Sequence, residues 1–375
     1  MKKLFISLLA VASVIACTKS NVEFEETAEI GLKPVAHNVT KSMMTGKAFQ
    51  TSESFNVWAF YKQVNPGTSI ADWQAATGVE QTTYIDEKTF ENVEGTTTWH
   101  GVHSYYWPKM GSLLFAGYYP TTVKDQVDYT FDGNVNQMVI KNYVPDRVVN
   151  PKGETTTYEE DLMYANMTPA SVTKNNVSLV FNHALSWITV KVQQSVNTGE
   201  TGPKITVNSV TFEKVSTKGD ATVNNIPLSV GAAGETKDTY DPIKWVPSGD
   251  AADIQKIEVV TEELVKADDK KVRGIELGTA AKALEYEPLF IPQPMTNMVV
   301  NYTIESEDGS SFTETTTITL NTLKTDDGKE ATNWEPGKHY TYTITIGTTE
   351  ILVAPSVTAW DNVNYTVPVE KPAEL

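Results

Sequence analysis

The side chains of this 375-residue chain that could do chemistry are five histidines, one cysteine and a few carboxylate runs. His100 and His103 stand three apart, a spacing that can offer two imidazoles to a metal. They flank Gly101 in what reads as a turn or edge strand, and no further ligand follows, so no metal site is expected. His183 lies between two apolar strand runs and could act as a base only with a partner that orients it. His37 and His339 complete the five. Glu159, Glu160 and Asp161 form an acidic run. Paired carboxylates hydrolyse glycosides, but adjacent residues do not face each other across a sugar, so the run reads as a solvated loop. Asp326, Asp327 and Gly328 read as a hairpin turn rather than a calcium loop. There is no G-x-S-x-G elbow and no phosphate-binding G-x-x-x-x-G-K-[ST] loop. The expectation is a protein with no catalytic residues and no cofactor.

The remaining reactive group is the one cysteine, Cys17. Lys2 and Lys3 precede an apolar stretch from Leu4 to Ile15, too short to span a bilayer and suited to a secretory signal. It ends Val14-Ile15-Ala16-Cys17. A small residue followed by cysteine at the end of such a stretch is the bacterial lipoprotein signal, with cleavage between Ala16 and Cys17 and acyl chains on Cys17. Several acyl chains on one residue anchor stably where one does not. The expected protein is exported and lipid-anchored, with 1–16 as signal and 17–28 as an acidic, polar tether.

Charge and thiol content exclude other classes. The formal charge is −17, and removing Lys2 and Lys3 makes it −19. With no basic stripe to offset this, nucleic acid is a poor partner. A single thiol rules out internal disulfides and thiolate zinc sites.

The elements that must carry such a surface protein are short strands. Phe55 to Tyr61 (FNVWAFY) and Leu113 to Tyr119 (LLFAGYY) are nearly continuous apolar runs. Val177 to Val192 holds two alternating runs. In His339 to Ile346 (HYTYTITI), Tyr340, Tyr342, Ile344 and Ile346 face one way and threonines the other. Further strands are expected at Met138 to Ile140, Ile205 to Phe212, Ile254 to Val260, Leu289 to Ile291, Met298 to Ile304 and Phe312 to Leu320. Helical patterning is confined to Asp72–Thr77 and Gly278–Leu284. Many short strands with turn signals between them predict an all-β fold of two tandem β-sandwiches. The turn cluster TGETGP (198–203) places the boundary near residue 195, giving domains 29–195 and 196–375.

The order of these features resembles the fimbrillin family of the Bacteroidetes, the type V pilins. The matching pieces are the lipoprotein signal at Cys17, the strand AEIGLKPV (28–35) followed by Thr40-Lys41-Ser42, and FNVWAFY. Then come Tyr106-Trp107-Pro108 leading into LLFAGYYP, Leu162-Met163-Tyr164-Ala165 before VSLVFNHALSWITVKV, Gly337-Lys338-His339-Tyr340, and Val357-Thr358-Ala359-Trp360. The resemblance implies transthyretin-like sandwiches and polymerisation by strand exchange. A trypsin-like extracellular protease cuts beyond the N-terminal strand, that strand leaves, and the C-terminal strand of another fimbrial subunit fills the slot.

The residues fit that scheme in part. Ile30, Leu32 and Pro34 alternate with Gly31, Lys33 and Val35, so the strand can bury one face and be replaced by a similar one. The donor would lie within 351–369, with Val357, Ala359, Trp360, Tyr365 and Val367 as contacts and Trp360 as anchor. The same tail could instead be an ordinary final strand. The family's best-known members are cut after arginine, but Arg147 and Arg273 are far from the tether, which leaves Lys41 and Lys47. The rival function is glycan binding through an exposed aromatic platform of Trp99, Tyr105, Tyr106, Trp107, Tyr118 and Tyr119.

Overall fold

The computed structural model describes residues 28–36, 49, 51–65, 73, 76, 78–132, 135–145, 161–171, 176–195, 203–224, 243–259, 263–265, 271–284, 286–324, 328, 330–347 and 351–359. Ala16, Cys17, Lys41, Lys47, Trp360, Tyr365 and Val367 lie outside them, as do Glu159, Glu160, Asp326 and Asp327. In chain order the first strands are β1 (Leu32–Ala36), β2 (Phe55–Lys62), β3 (Gln81–Asn92), β4 (Trp99–Gly101), β5 (Ser112–Tyr119), β6 (Val127–Asp132) and β7 (Val135–Tyr143). They are followed by β8 (Met163–Ser171), β9 (Val177–His183), β10 (Ser186–Gln194), β11 (Lys204–Ser216), β12 (Gly219–Asn224), β13 (Ile243–Pro247) and β14 (Ile254–Val259). The chain is all-β, as expected.

Seven strands close into a barrel in the order β1-β4-β3-β2-β5-β8-β9, with β1 completing the ring against β9. A second layer, β13-β12-β7-β6, packs on the outside of that barrel. This arrangement explains the continuous apolar runs. Along β2, Phe55, Val57 and Ala59 point into the barrel while Trp58 and Phe60 point into the layer between barrel and outer sheet. Along β5, Leu113, Phe115 and Tyr119 face in and Leu114, Ala116 and Tyr118 face out, all buried. A strand covered on both faces needs apolar residues at every position, so the period-two pattern vanishes.

The rest of the chain builds a sandwich. One sheet joins β10 in parallel to Lys338–Ile346, which pairs antiparallel with Ile351–Ala359. The other runs β14, β11, Asn297–Glu305, Ser311–Thr319. Their facing sides share one core that includes Ile188, Val190, Phe212, Met298, Val300, Trp334, Tyr340 and Tyr342. Tyr340, Tyr342, Ile344 and Ile346 are buried and the intervening threonines partly open, as the alternation predicts. Strands from both sides of residue 195 share sheets: β12 pairs with β7, and β10 with Lys338–Ile346.

Gly278–Leu284 is not helical. Its residues Lys282–Ala283 form a short strand on β10, with only Leu284 entering the core. Helix propensity over seven residues is too weak to resist an available sheet partner. Asp72–Thr77 is described only at Trp73 and Ala76; Trp73 is helical and fully buried.

Candidate functional site

The slot that holds β1 is assembled from three parts of the chain. On one side, β9 pairs with β1 in parallel from Leu32↔Val177 to Ala36↔Phe181. On the other, β4 pairs at one position, Leu32↔Trp99. Before β1, residues 28–30 are clasped by the segment after β4. Ile30 N donates to Tyr105 O at 2.7 Å, and Trp107 N donates to Ala28 O at 3.0 Å. His100 Nδ1 lies 3.2 Å from Glu29 Oε1. His100 therefore faces Glu29 across this clasp, and His103 is an exposed residue apart from it. Among the described residues no three of His, Cys, Asp or Glu come together as a metal site.

The buried face of the strand is the one its alternation indicates. Ile30 is 1% exposed, Leu32 0%, and Pro34 is buried, whereas Lys33 is exposed. Ile30 and Leu32 enter the barrel core with Phe55, Trp99, Phe115 and Phe181. Burying two such side chains contributes roughly 3–6 kcal/mol. Against this, parallel pairing is slightly weaker per residue than antiparallel pairing, and Pro34 supplies no N–H. Phe49 follows Lys47 closely and also lies in the barrel core, its ring centroid 4.8 Å from that of Phe181. A cut at Lys41 or Lys47 would thus leave Phe49 with the barrel and residues 28–36 without a covalent tie to it.

Above the strand, on its outward side, Asn176 Nδ2 donates to Thr98 Oγ1 at 2.5 Å. The two residues come from the flanks of β9 and β4, the neighbours of β1. Gly31 lies beneath this bond and is buried, and Gly31 O accepts from Val177 N at 2.9 Å.

The other end of the chain lies at a sheet edge. Ile351–Ala359 pairs along its length with Lys338–Ile346, from Ile346↔Ile351 to Lys338↔Ala359. Val357 is half-buried against the sandwich core together with Ile351 and Val353. Ala359 is the last residue described here.

The six aromatics do not make a platform. Trp99, Trp107 and Tyr119 fill the barrel, Tyr118 fills the layer outside it, and Tyr105 is half-buried. Only Tyr106 is exposed, at 48%. Three of the buried rings have internally bonded polar ends, whereas Trp107 Nε1 is buried without a hydrogen-bond partner among the described residues. Trp99 Nε1 donates to Glu53 O (2.8 Å), Tyr119 OH to Glu53 Oε2 (3.0 Å) and Tyr118 OH to Glu87 Oε1 (2.6 Å). Packing area, the largest contribution an aromatic side chain makes, has drawn them inward.

Two histidines, His183 buried and His339 half-buried, have structural partners that the sequence did not reveal. His183 Nδ1 sits 2.5 Å from Asp161 Oδ2, with both residues about 5% exposed or less. Asp161 is therefore part of the core and not of a solvated acidic loop. The pair ties the start of β8 to the end of β9, where Ala184 N also donates to Leu162 O at 2.8 Å. His339 stacks on Trp187 at 3.6 Å between ring centroids, and its Nε2 is 2.8 Å from Thr189 Oγ1. Thr189 donates its one hydroxyl proton to Glu287 Oε1 (3.0 Å), so Nε2 carries the proton it donates to Thr189.

A family model described as fimbrillin-like matches residues 40–360. The chain belongs to the fimbrillin-like family. A solved fimbrial protein from Bacteroides vulgatus is 16% identical, with 88% of this chain and 99% of that chain covered and a TM-score of 0.55, so the two share a fold. A putative cell adhesion protein from Bacteroides uniformis is 15% identical, covering 88% of this chain and 98% of its own, with a TM-score of 0.46. No curated protein matches. Fimbrillin-like proteins are structural rather than enzymatic, which accords with the buried, core-filling placement of His183 and Asp161.

Proposed function

We propose that this fimbrillin-like chain is a subunit of a cell-surface fimbria that serves adhesion, and that it assembles by strand exchange. The precursor is lipidated on Cys17 and held at the outer membrane. A trypsin-like protease cuts after Lys41 or Lys47. Residues 28–36 then dissociate, and the barrel is left with a slot between β9 and β4. The C-terminal strand of another fimbrial subunit fills it, with Val357, Ala359, Trp360, Tyr365 and Val367 of this chain offering the corresponding donor to the next. The barrel unit and the sandwich share strands across residue 195, with β10 in the sandwich and β12 in the outer sheet of the barrel, so no simple cut near residue 195 divides them.

The observation that supports this reading most is the position of β1. It closes a barrel, buries Ile30 and Leu32, and meets β4 at one residue pair only. A vacated slot exposes unpaired backbone groups on β9 and pockets for alternate side chains, the template that donor strands recognise. The donor end is favourable too, because Ile351–Ala359 is an edge strand on which Ile351, Leu352, Val353 and Val357 are only half-buried.

Limited digestion with a lysine-directed protease, followed by electrophoresis without full denaturation, tests the reading. The expected result is a ladder of stable multimers after cleavage, absent before it and absent from the Lys41→Gln/Lys47→Gln double variant. A cleaved protein that runs only as a monomer would overturn it.

A further inference from the structure

Gly31 is the outward-facing residue between the two deepest anchors of the strand, Ile30 and Leu32. Outward positions of a barrel strand ordinarily tolerate any side chain, and the next one, Lys33, is exposed. Gly31 is different because the Asn176–Thr98 hydrogen bond crosses over it. A Cβ at residue 31 would lie within 2.4 Å of Asn176 Oδ1 and 2.9 Å of Thr98 Cγ2. No real side chain makes such contacts, so a methyl group there would push Asn176 aside and break its bond to Thr98. Asn176 and Thr98 flank the two strands between which β1 lies, so their bond bridges the slot from the outside. It closes only over a residue without a side chain.

We propose that Thr98 and Asn176 form a strap that makes the slot selective for a strand of the pattern apolar–Gly–apolar. The preferred occupant places its glycine under the strap and its large side chains in the pockets of Ile30 and Leu32. This deepens the strand-exchange reading and rests on it. It also has a consequence for the partner. The chain has no glycine after Gly347, so its own tail, Ile351 to Val369, cannot meet this pattern in any register. A copy of this chain can fill the slot, but with the strap open. The tighter occupant is a strand from a different subunit that carries the glycine. Until that strand arrives, the strap favours the resident segment and so holds the precursor shut.

Two measurements test this, the first independent of exchange. In the intact chain, Gly31→Ala is combined with Asn176→Ala in a double-mutant cycle read by urea unfolding. Opening the exposed Asn176–Thr98 bond lowers the folding equilibrium constant about 5-fold, and most of that loss is expected to disappear in the Asn176→Ala background, the contact with Thr98 Cγ2 remaining. Additive effects would overturn the strap. In the second measurement, the lysine-cleaved chain is washed free of its segment. It is then titrated with a synthetic peptide of residues 28–36, with its Gly31→Ala form, and with a peptide of residues 351–369. The glycine peptide is expected to bind about 5-fold more tightly than the alanine form, and the difference to shrink on Asn176→Ala protein. The 351–369 peptide is expected to gain from Asn176→Ala by about the same factor as the alanine form does. Equal binding of the two 28–36 peptides to the unaltered slot would overturn the strap and leave strand exchange standing. Failure of every peptide to bind, with the double-mutant cycle still coupled, would remove strand exchange and with it the selective role.

Discussion

Leu32→Asp is expected to open the barrel without unfolding the sandwich. Leu32 is 0% exposed and touches the core at the one residue pair joining β1 to β4. The substitution forfeits the burial of a leucine and places a carboxylate in the apolar core of the barrel. Together these cost about 4 kcal/mol or more, close to the whole stability of a small domain. The protein can avoid the penalty by expelling the strand, so the loss should be local. Hydrogen exchange read by mass spectrometry should show β9 and the segment 105–107 losing protection. Protection of Tyr340, Tyr342 and Ile344 in the sandwich should be unchanged. Leu32→Ala, which leaves a cavity but no charge, should cost about 3 kcal/mol and keep the strand in place. Uniform loss of protection across both units would show that β1 is an inseparable part of one cooperative core.

Acid should weaken the sandwich through His339. Burial against Trp187, with a smaller contribution from the Lys191 charge, lowers its pKa from 6.5 to about 4. Between these values the unfolded chain binds a proton that the folded chain refuses. Stability therefore rises with pH across this window and is lost as pH falls from about 6.5 to about 4. A shift from 6.5 to about 4 corresponds to roughly 3 kcal/mol. His339→Gln keeps an N–H donor for Thr189 but cannot titrate. Urea unfolding at pH about 7.5 and about 4 should show the wild type losing roughly 3 kcal/mol more than this variant. Parallel losses would place the acid sensitivity elsewhere.

The sequence displays the parts of this architecture that rest on local pattern. Tyr340, Tyr342, Ile344 and Ile346 alternate with threonines because one face of that strand meets a core and the other does not. The runs at Phe55 and Leu113 are legible as buried strands, but the reason for their continuity is not. It lies in the outer sheet of β6, β7, β12 and β13, most of which is too polar to stand out. The long strand β3 is hidden for the same reason, since its buried apolar side chains are only Ile85 and Phe90. At the site, the alternation of Ile30, Leu32 and Pro34 marks the face that is buried. The partner of that strand leaves no local trace, because Val177–Phe181 lies far away in sequence and pairs in parallel. Gly31 reads as a spacer until Asn176 and Thr98 are seen above it. Asp161 reads as one of three neighbouring carboxylates until His183 is seen beside it.

The central claim is that residues 28–36 give up their place in the barrel when subunits join. Mass spectrometry of washed multimers formed after limited lysine-directed digestion tests it most directly. The account predicts subunits that begin at Ser42 or Ala48, with residues 28–36 missing and the amides of Val177–Phe181 still protected by an incoming strand. Multimers that retain residues 28–36 in equal number with the subunits would contradict it.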